Sequence, residues 1–244
     1  MHEEKLLMDL FFNERTVPHI SFFFNKATNV YEVPHYVSYA FLASLILIVT
    51  AFLVNRSLKL VPTGLQNFME TIAEGVLNLC EENIGHHWAK HFFPLIGTVA
   101  LYVAICNFMG LIPGFFSPTS NINNNVALAV PIFLATHFYG LRVHGISYFK
   151  HFLGPIRSLP ALPLMALIFI IELIGHLVRP VTLSVRLFGN MVAKHIILLV
   201  LAGLSPWLVP TLILALGSLV SVIQAFVFTL LTTLYLAGAV EEAH

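Results

Sequence analysis

The chain has 244 residues, of which 58% are hydrophobic and only 10% are charged, and its formal net charge is zero. A mean hydropathy of +0.86 excludes an ordinary soluble domain and predicts an all-α protein that crosses a membrane several times. No basic run suggests nucleic acid as a partner, and Cys80 and Cys106 have neither disulfide-framework nor metal-site spacing, so we expect no metal and no cofactor.

Residues 1–35 are predicted to form an arm outside the membrane, because they mix charges with apolar pairs. Their start is acidic, whereas a signal or transit peptide would be basic. We therefore expect the arm to stay in the mature protein, which suits a multi-pass protein of the bacterial plasma (inner) membrane. The uncharged segment 36–54 follows and is long enough for a first span.

The segment 62–82 has a different pattern, in which apolar residues recur at helical spacing and glutamates occupy polar positions. This pattern predicts an amphipathic helix lying at the membrane surface. Three histidines come next, close to Glu81 and Glu82, but without HExxH or similar spacing. A solvated interfacial segment is therefore favoured over a metal cluster. The three histidines are His86, His87 and His91.

Spans two and three are predicted at 92–112 and 124–140, with an uncharged loop between them. Among the loops that join spans, lysines and arginines occur on only one side, whereas the loops at 113–125 and 203–207 have none. By the positive-inside rule the basic side is cytoplasmic, which puts the N-terminus outside and the C-terminus inside. The basic loop residues are Arg56, Lys59, Lys90, Arg142, Lys150 and Arg157.

The apolar segment 162–202 would be about 60 Å long as one helix, twice the thickness of the hydrocarbon layer. It either turns back near Arg179 and Pro180 or forms one strongly tilted, bent helix. The absence of Gly, Asn and Asp from that region favours the tilted helix. The last apolar segment, 207–239, is also too long for an upright span, so we predict that the two form a long, strongly tilted hairpin.

A polar stripe crosses this long helix at steps of three or four residues, so its members share one face. Its most costly member is Arg186, which cannot lose its proton and costs about 2.5 to 3.5 kcal/mol at the bilayer centre. Glu172 is the only carboxylate between residues 83 and 240, so we expect the partner of Arg186 to come from another chain. The stripe contains Glu172, His176, Arg179, Leu183, Arg186 and Asn190, continued by Lys194 and His195.

The last helix has Gly217, Ser221, Gln224 and Phe228 on one face, which brings together a glycine notch, a hydroxyl and an amide. Small and polar residues are also ordinary contacts between membrane helices. Helix packing therefore explains this face at least as well as a proton path does.

The run RPVTLSVRLFGNMVAKH at 179–195 resembles the signature of subunit a of F-type ATP synthases. The motifs NFMGLIPG, PTSNIN and IQAFVFTLLTTLYL agree with that family in the same order, and the resemblance covers about residues 90 to 240. It implies a non-catalytic, stationary proton-channel subunit with two offset half-channels. The implied partners are a rotating c-ring of small proteolipid subunits, b-type subunits of the peripheral stalk, and membrane lipids.

The resemblance also assigns site residues. It implies that Arg186 is the essential charge facing the ring, that Asn190 and Gln224 are the membrane amides, that Glu172 serves the inner half-channel, and that Thr182 is a small hydroxyl position. His176 and Ser221 lie on the same two faces, and we include them in the predicted proton path.

Two positions depart from the family pattern. Many bacterial members pair a glutamate nine residues after the arginine with a histidine on the last helix, whereas this chain has His195 and Gly217 there. Gly110 stands where some members have an aspartate. We predict that His195 relays protons on the outer side, because histidine titrates near neutrality, and that water fills the gap beside Gly217. A histidine that only bonds to a neighbouring helix is an equally good interpretation.

The alternative function is a secondary transporter or anion channel in which Arg186 binds a carboxylate or phosphate. This alternative predicts internal symmetry and a self-sufficient site, and no internal repeat is evident. An intramembrane hydrolase is disfavoured, because the sequence has no HExxH, GxSxG or paired intramembrane carboxylates.

Overall fold

The structure is a computed structural model that describes residues 35–56, 58–112, 115–145, 148, 162–202 and 208–240. The predicted outer arm lies outside these described residues, as do Lys150, Arg157, the loop at 203–207 and the last four residues.

The described residues form six α-helices and one short 3₁₀ helix at Pro118–Ser120. Five of the six helices are long and apolar enough to cross a membrane, and the remaining one, α2, is amphipathic. The predicted all-α class with about five membrane helices is therefore confirmed. The helices are α1 His35–Arg56, α2 Leu65–Ile84, α3 His86–Met109, α4 Ile122–His144, α5 Leu162–Ala202 and α6 Leu208–Val240.

Helix α3 begins at His86, six residues before the predicted start of the second span. Gly85 makes this early start possible, because its φ of 85° ends α2 in the left-handed region that glycine tolerates. Ala89 and Phe92 are then buried against α2 and the end of α6, while His86 and His91 stay exposed. The predicted solvated segment is thus the exposed side of the first turns of α3.

The long apolar segment is one continuous helix, α5, of 41 residues that passes through Pro180 without turning back. Proline removes one backbone hydrogen-bond donor from a helix. Two side-chain hydroxyl groups close to Pro180 donate to backbone carbonyls of α5. The hydroxyl of Thr182 donates to Arg179 O at 2.9 Å, and that of Ser184 donates to Pro180 O at 2.8 Å. The continuous helix agrees with the favoured interpretation of the sequence, and its tilt stays a prediction.

Helices α3, α4, α5 and α6 pack around an apolar interior at the level of Arg186. This interior fixes which sides of α5 and α6 face inwards. Its buried members are Val103, Ala129, Ile132, Leu183, Leu187, Ala225 and Phe228.

The uncharged loop after α3 is attached to the bundle by buried hydrogen bonds. Thr119 Oγ1 donates to Asn107 Oδ1 at 3.0 Å, and Asn125 Nδ2 donates to Thr119 O at 2.9 Å and to Ser184 O at 3.3 Å. Gly110 permits this close approach, since a Cβ there would lie 2.7 Å from Ser117 Cβ. An aspartate at position 110 would therefore not fit this arrangement.

Candidate functional site

Arg186 lies on the exposed side of α5 rather than in the interior of the bundle. Within the part of the chain that the structure describes, it makes no ion pair and no hydrogen bond. Apolar side chains are exposed close by on the same helix, including Val181 and Val185. The site is therefore one fixed positive charge on an otherwise apolar surface.

The predicted polar stripe does not share one environment, and this corrects the expectation of a single face. Leu183 and Leu187 are buried in the bundle, whereas Thr182, Arg186 and Asn190 are exposed. The reason is that members of the stripe differ by up to about 80° around the axis, so the stripe straddles the boundary between the inward and outward sides of α5. The stripe begins at the half-exposed Glu172, faces outwards at Arg186 and turns inwards at its far end.

The two predicted membrane amides are in contact. Asn190 Nδ2 donates to Gln224 Oε1 at 2.6 Å and joins α5 to α6 one turn beyond Arg186. Asn190 is exposed and Gln224 is buried, so the pair connects the charged surface with the interior.

At the far end of the stripe, Lys194 is buried and its Nζ donates to Ser221 Oγ at 3.2 Å. Its aliphatic stem fills the notch at Gly217, where a Cβ would lie 2.9 Å from Lys194 Cδ and 3.1 Å from Leu111 Cδ2. The expectation that water fills this gap is therefore wrong, because a side chain occupies it. The sequence contained the two residues of this contact, a lysine eight residues after Arg186 and Gly217 on the last helix. We did not select Lys194 as a site residue.

His195 is half-buried, and its ring bonds to the backbone of Met191 on its own helix. Ser221 also donates to Gly217 O at 2.8 Å and lies 3.5 Å from Asn107 O, where α3 meets α6. One polar group thus lies on the C-terminal side of Arg186 along α5. It consists of Lys194, His195, Ser221 and the Asn190–Gln224 pair. Its polar atoms can bind and orient a proton donor or water.

On the other side of Arg186, Glu172 Oε1 lies 3.4 Å from His176 Nε2. The guanidinium of Arg179 lies 5.1 Å from the ring centre of Tyr235 on α6, a distance typical of a cation–π contact. His137 of α4, which the sequence analysis did not select, lies next to His176. A second polar group is thus present about 10 to 21 Å before Arg186 along the axis of α5.

Three threonines of α6 form hydrogen bonds within their own helix. The hydroxyls of Thr229, Thr232 and Thr233 are buried, and each donates to the carbonyl four residues earlier at 2.7 to 2.9 Å. This favours the helix-packing interpretation for these threonines. The polar groups that remain therefore lie in two places, separated by the apolar interior at the level of Arg186.

A family model described as "ATP synthase A chain" matches residues 37–237. Several curated relatives each align over 208 residues, which is 85% of this chain and 88% of the relative. ATP synthase subunit a 1 of Pelobacter propionicus is 51% identical, ATP synthase subunit a of Geobacter sulfurreducens is 49% identical, and that of Trichlorobacter lovleyi is 48% identical.

Proposed function

This chain belongs to the ATP synthase A chain family, and we propose that its Arg186 separates two proton half-channels. The chain is the proton-translocating membrane subunit of the ATP synthase and not a catalytic subunit. One half-channel contains Glu172, His176 and Thr182. The other contains Asn190, His195, Ser221 and Gln224, together with Lys194. Each half-channel ends near the exposed surface that carries Arg186.

The observation that carries this proposal is the exposure of Arg186, which has no polar partner among the described residues. A fixed cation on an apolar membrane surface is costly unless an opposite charge or water meets it. Membership of the family implies assembly with other ATP synthase subunits, and we propose that the opposite charge is a membrane carboxylate of a rotating c-ring.

The charge of Arg186 accounts for both parts of its role. A ring carboxylate facing Arg186 stays ionised, because the opposite charge stabilises it. When the ring turns that carboxylate into lipid, it must first take a proton, since a bare charge there is strongly unfavourable. One half-channel supplies this proton and the other removes it, and the positive charge of Arg186 prevents a proton from passing directly between them.

The chain is a membrane protein with several apolar helices, and we propose that it lies in a bacterial inner membrane. From the positions of the basic loops we infer that the N-terminus is outside and the C-terminus inside, and we assign the Glu172 group to the cytoplasmic half-channel on that basis. A cysteine in place of Ser120 should be labelled from outside by an impermeant thiol reagent, and labelling only from inside would reverse the two sides. The b-type stalk subunits are further proposed partners.

Replacing Arg186 with Ala should abolish ATP synthesis driven by a proton gradient while the assembled complex persists. Assembly should survive because the side chain contacts nothing polar among the residues that the structure describes. Synthesis is measured in vesicles and assembly by copurification of the subunits. Arg186→Lys should not restore full activity, because its ammonium lacks the planar fork and can lose its proton.

The matched control is Arg142→Ala, which removes an exposed arginine from the last turn of α4. It should leave synthesis close to that of the wild type. If Arg186→Ala also kept near wild-type synthesis, the proposed function of Arg186 would be wrong. Uptake of an anion by the purified chain alone, lost on Arg186→Ala, would favour the transporter alternative.

A further inference from the structure

His137 is a second histidine in the bundle, on the Glu172 side of Arg186, and no motif of the sequence includes it. Its ring centre lies 5.4 Å from that of His176, with the two rings at 79° to each other. His137 Nδ1 lies 2.9 Å from Phe133 O. A carbonyl oxygen can only accept, so Nδ1 holds the proton and Nε2 of the neutral ring is the acceptor.

His176 connects His137 with Glu172. Its Nε2 lies 3.4 Å from Glu172 Oε1, and its side chain is 13% exposed whereas that of Glu172 is 46% exposed. The three residues therefore form a row that starts at an accessible carboxylate and leads into the bundle. Two imidazoles in such a row suit proton transfer near neutral pH.

A small cavity adjoins both histidines and is bounded on α5 by residues from His176 to Leu183. Its volume of about 10 Å³ is close to the smallest that can hold one water molecule. These α5 residues follow Glu172 by four to eleven positions, or about 6 to 16 Å along the helix. The cavity thus lies in the interval between Glu172 and Arg186.

Charged and titratable groups surround the two histidines on α5, on α6 and at Tyr148. Glu172 and Arg179 face it from α5, Tyr235 lines the same cavity from α6, and the ring of Tyr148 lies 6.0 Å from that of His137. Arg179 repels a protonated imidazole, so a state with both histidines protonated is unfavourable. The pair is suited to transfer one proton at a time rather than to store protons.

We propose that His137 is a proton-relay residue of the Glu172 half-channel and acts together with His176. A proton on Glu172 moves to His176 at Nε2, and His176 releases a proton from Nδ1 towards the cavity. His137 accepts that proton at Nε2 and returns it from the same atom towards the level of Leu183 and Arg186. Glu172 ends as a carboxylate and both imidazoles end neutral, with the His176 proton now on Nε2. Its return to Nδ1, by rotation of the ring or through a water in the cavity, resets the relay, and no proton is consumed.

This proposal rests on the proposed function of Glu172 and Arg186, and His137→Gln in the assembled complex tests it. Glutamine can still donate to Phe133 O but does not titrate. Passive proton flux from the Glu172 side should fall by at least about threefold, and its pH dependence should flatten, because the relay then lacks a side chain that can take up and release a proton. His176→Gln should have the same two effects, and the double variant should be no worse than either single variant.

The matched control is His91→Gln, which changes an exposed histidine that bonds to Tyr139 at 2.9 Å and does not line the cavity. Its flux and pH profile should equal those of the wild type. Assembly of every variant is checked by copurification of the ring.

Wild-type flux and pH profile in assembled His137→Gln would overturn the relay, as would a wild-type profile in His176→Gln. The proposed function would survive either result as long as Arg186→Ala still abolished synthesis. If Arg186→Ala retained synthesis, the half-channels themselves would be wrong, whatever His137→Gln did.

Discussion

Arg186 and Lys194 lie eight residues apart on one apolar helix, yet they occupy opposite environments. Arg186 is exposed and has no polar contact within the described ranges, whereas Lys194 is buried at 9% exposure and donates to Ser221. Eight residues turn an α-helix by about 80° beyond two full turns. This rotation takes Lys194 off the surface that carries Arg186 and places it under α6, where Gly217 leaves room. The role of a cation in an apolar segment therefore depends on its contacts with the neighbouring helix and cannot be assigned from the segment alone.

The largest structural effect is expected when the stem of Lys194 is removed. Lys194→Ala should destabilise the chain by about 2 kcal/mol, because it deletes three buried methylenes and leaves a cavity beside Gly217. Lys194→Met keeps most of that volume without the buried charge, so it should be close to the wild type or more stable. Thermal unfolding of the purified complex compares them. Equal losses in both variants would show that the ammonium, and not the stem, stabilises this contact.

A smaller effect is expected from Gly217→Ala, whose Cβ would lie 2.9 Å from Lys194 Cδ. Overpacking of this kind typically costs about 1 to 3 kcal/mol, and the flexible lysine stem points to the lower end. In the Lys194→Ala background the added methyl should fill the cavity, so the two changes should couple by at least about 0.5 kcal/mol. Strictly additive losses would contradict the packing of Lys194 in the glycine notch.

The smallest effect is expected at His195, which is half-buried beside Lys194 and bonds to its own helix. His195→Ala should slow passive proton flux from the side opposite Glu172 by a factor of about two to five and change its pH dependence, since histidine titrates near neutrality. His195→Glu should keep substantial flux. Vesicles of defined orientation provide the measurement. An unchanged profile in the Ala variant would make His195 a structural residue, with Asn190, Gln224 and Lys194 left as the relay.

The fold was largely predictable, because uncharged length and turn chemistry are local properties of a sequence. The region of Arg179 and Pro180 has no Gly, Asn or Asp for a tight turn, and α5 indeed continues through it. The sequence analysis placed the start of α3 six residues too late, because the exposed histidines suggested a solvated segment. The opposite side of the same helix buries Ala89 and Phe92. Gly85 was the available signal for a helix boundary there.

The candidate site was less predictable, because it depends on how neighbouring helices are rotated against each other. The resemblance selected Asn190 and Gln224 without relating them in space, and the structure brings them into contact at 2.6 Å. It gave no reason to expect Lys194 in the notch of Gly217. His137 was missed for a similar reason, since its partner His176 is 39 positions away and meets it only through the packing of α4 on α5. Helical periodicity assigns a residue to a face but does not show what that face contacts.

Contact between the Arg186 side of α5 and the ring is tested most directly by photocrosslinking in the active, assembled complex. A photoreactive residue at Val185, which is 49% exposed next to Arg186, is compared with one at Phe41, which is 70% exposed on the equally apolar α1. Val185 should crosslink to a small proteolipid subunit, and Phe41 should not, because α1 carries no charge in its middle that would require such a partner. Crosslinks to the proteolipid from Phe41 and none from Val185 would contradict the placement of Arg186 at the ring.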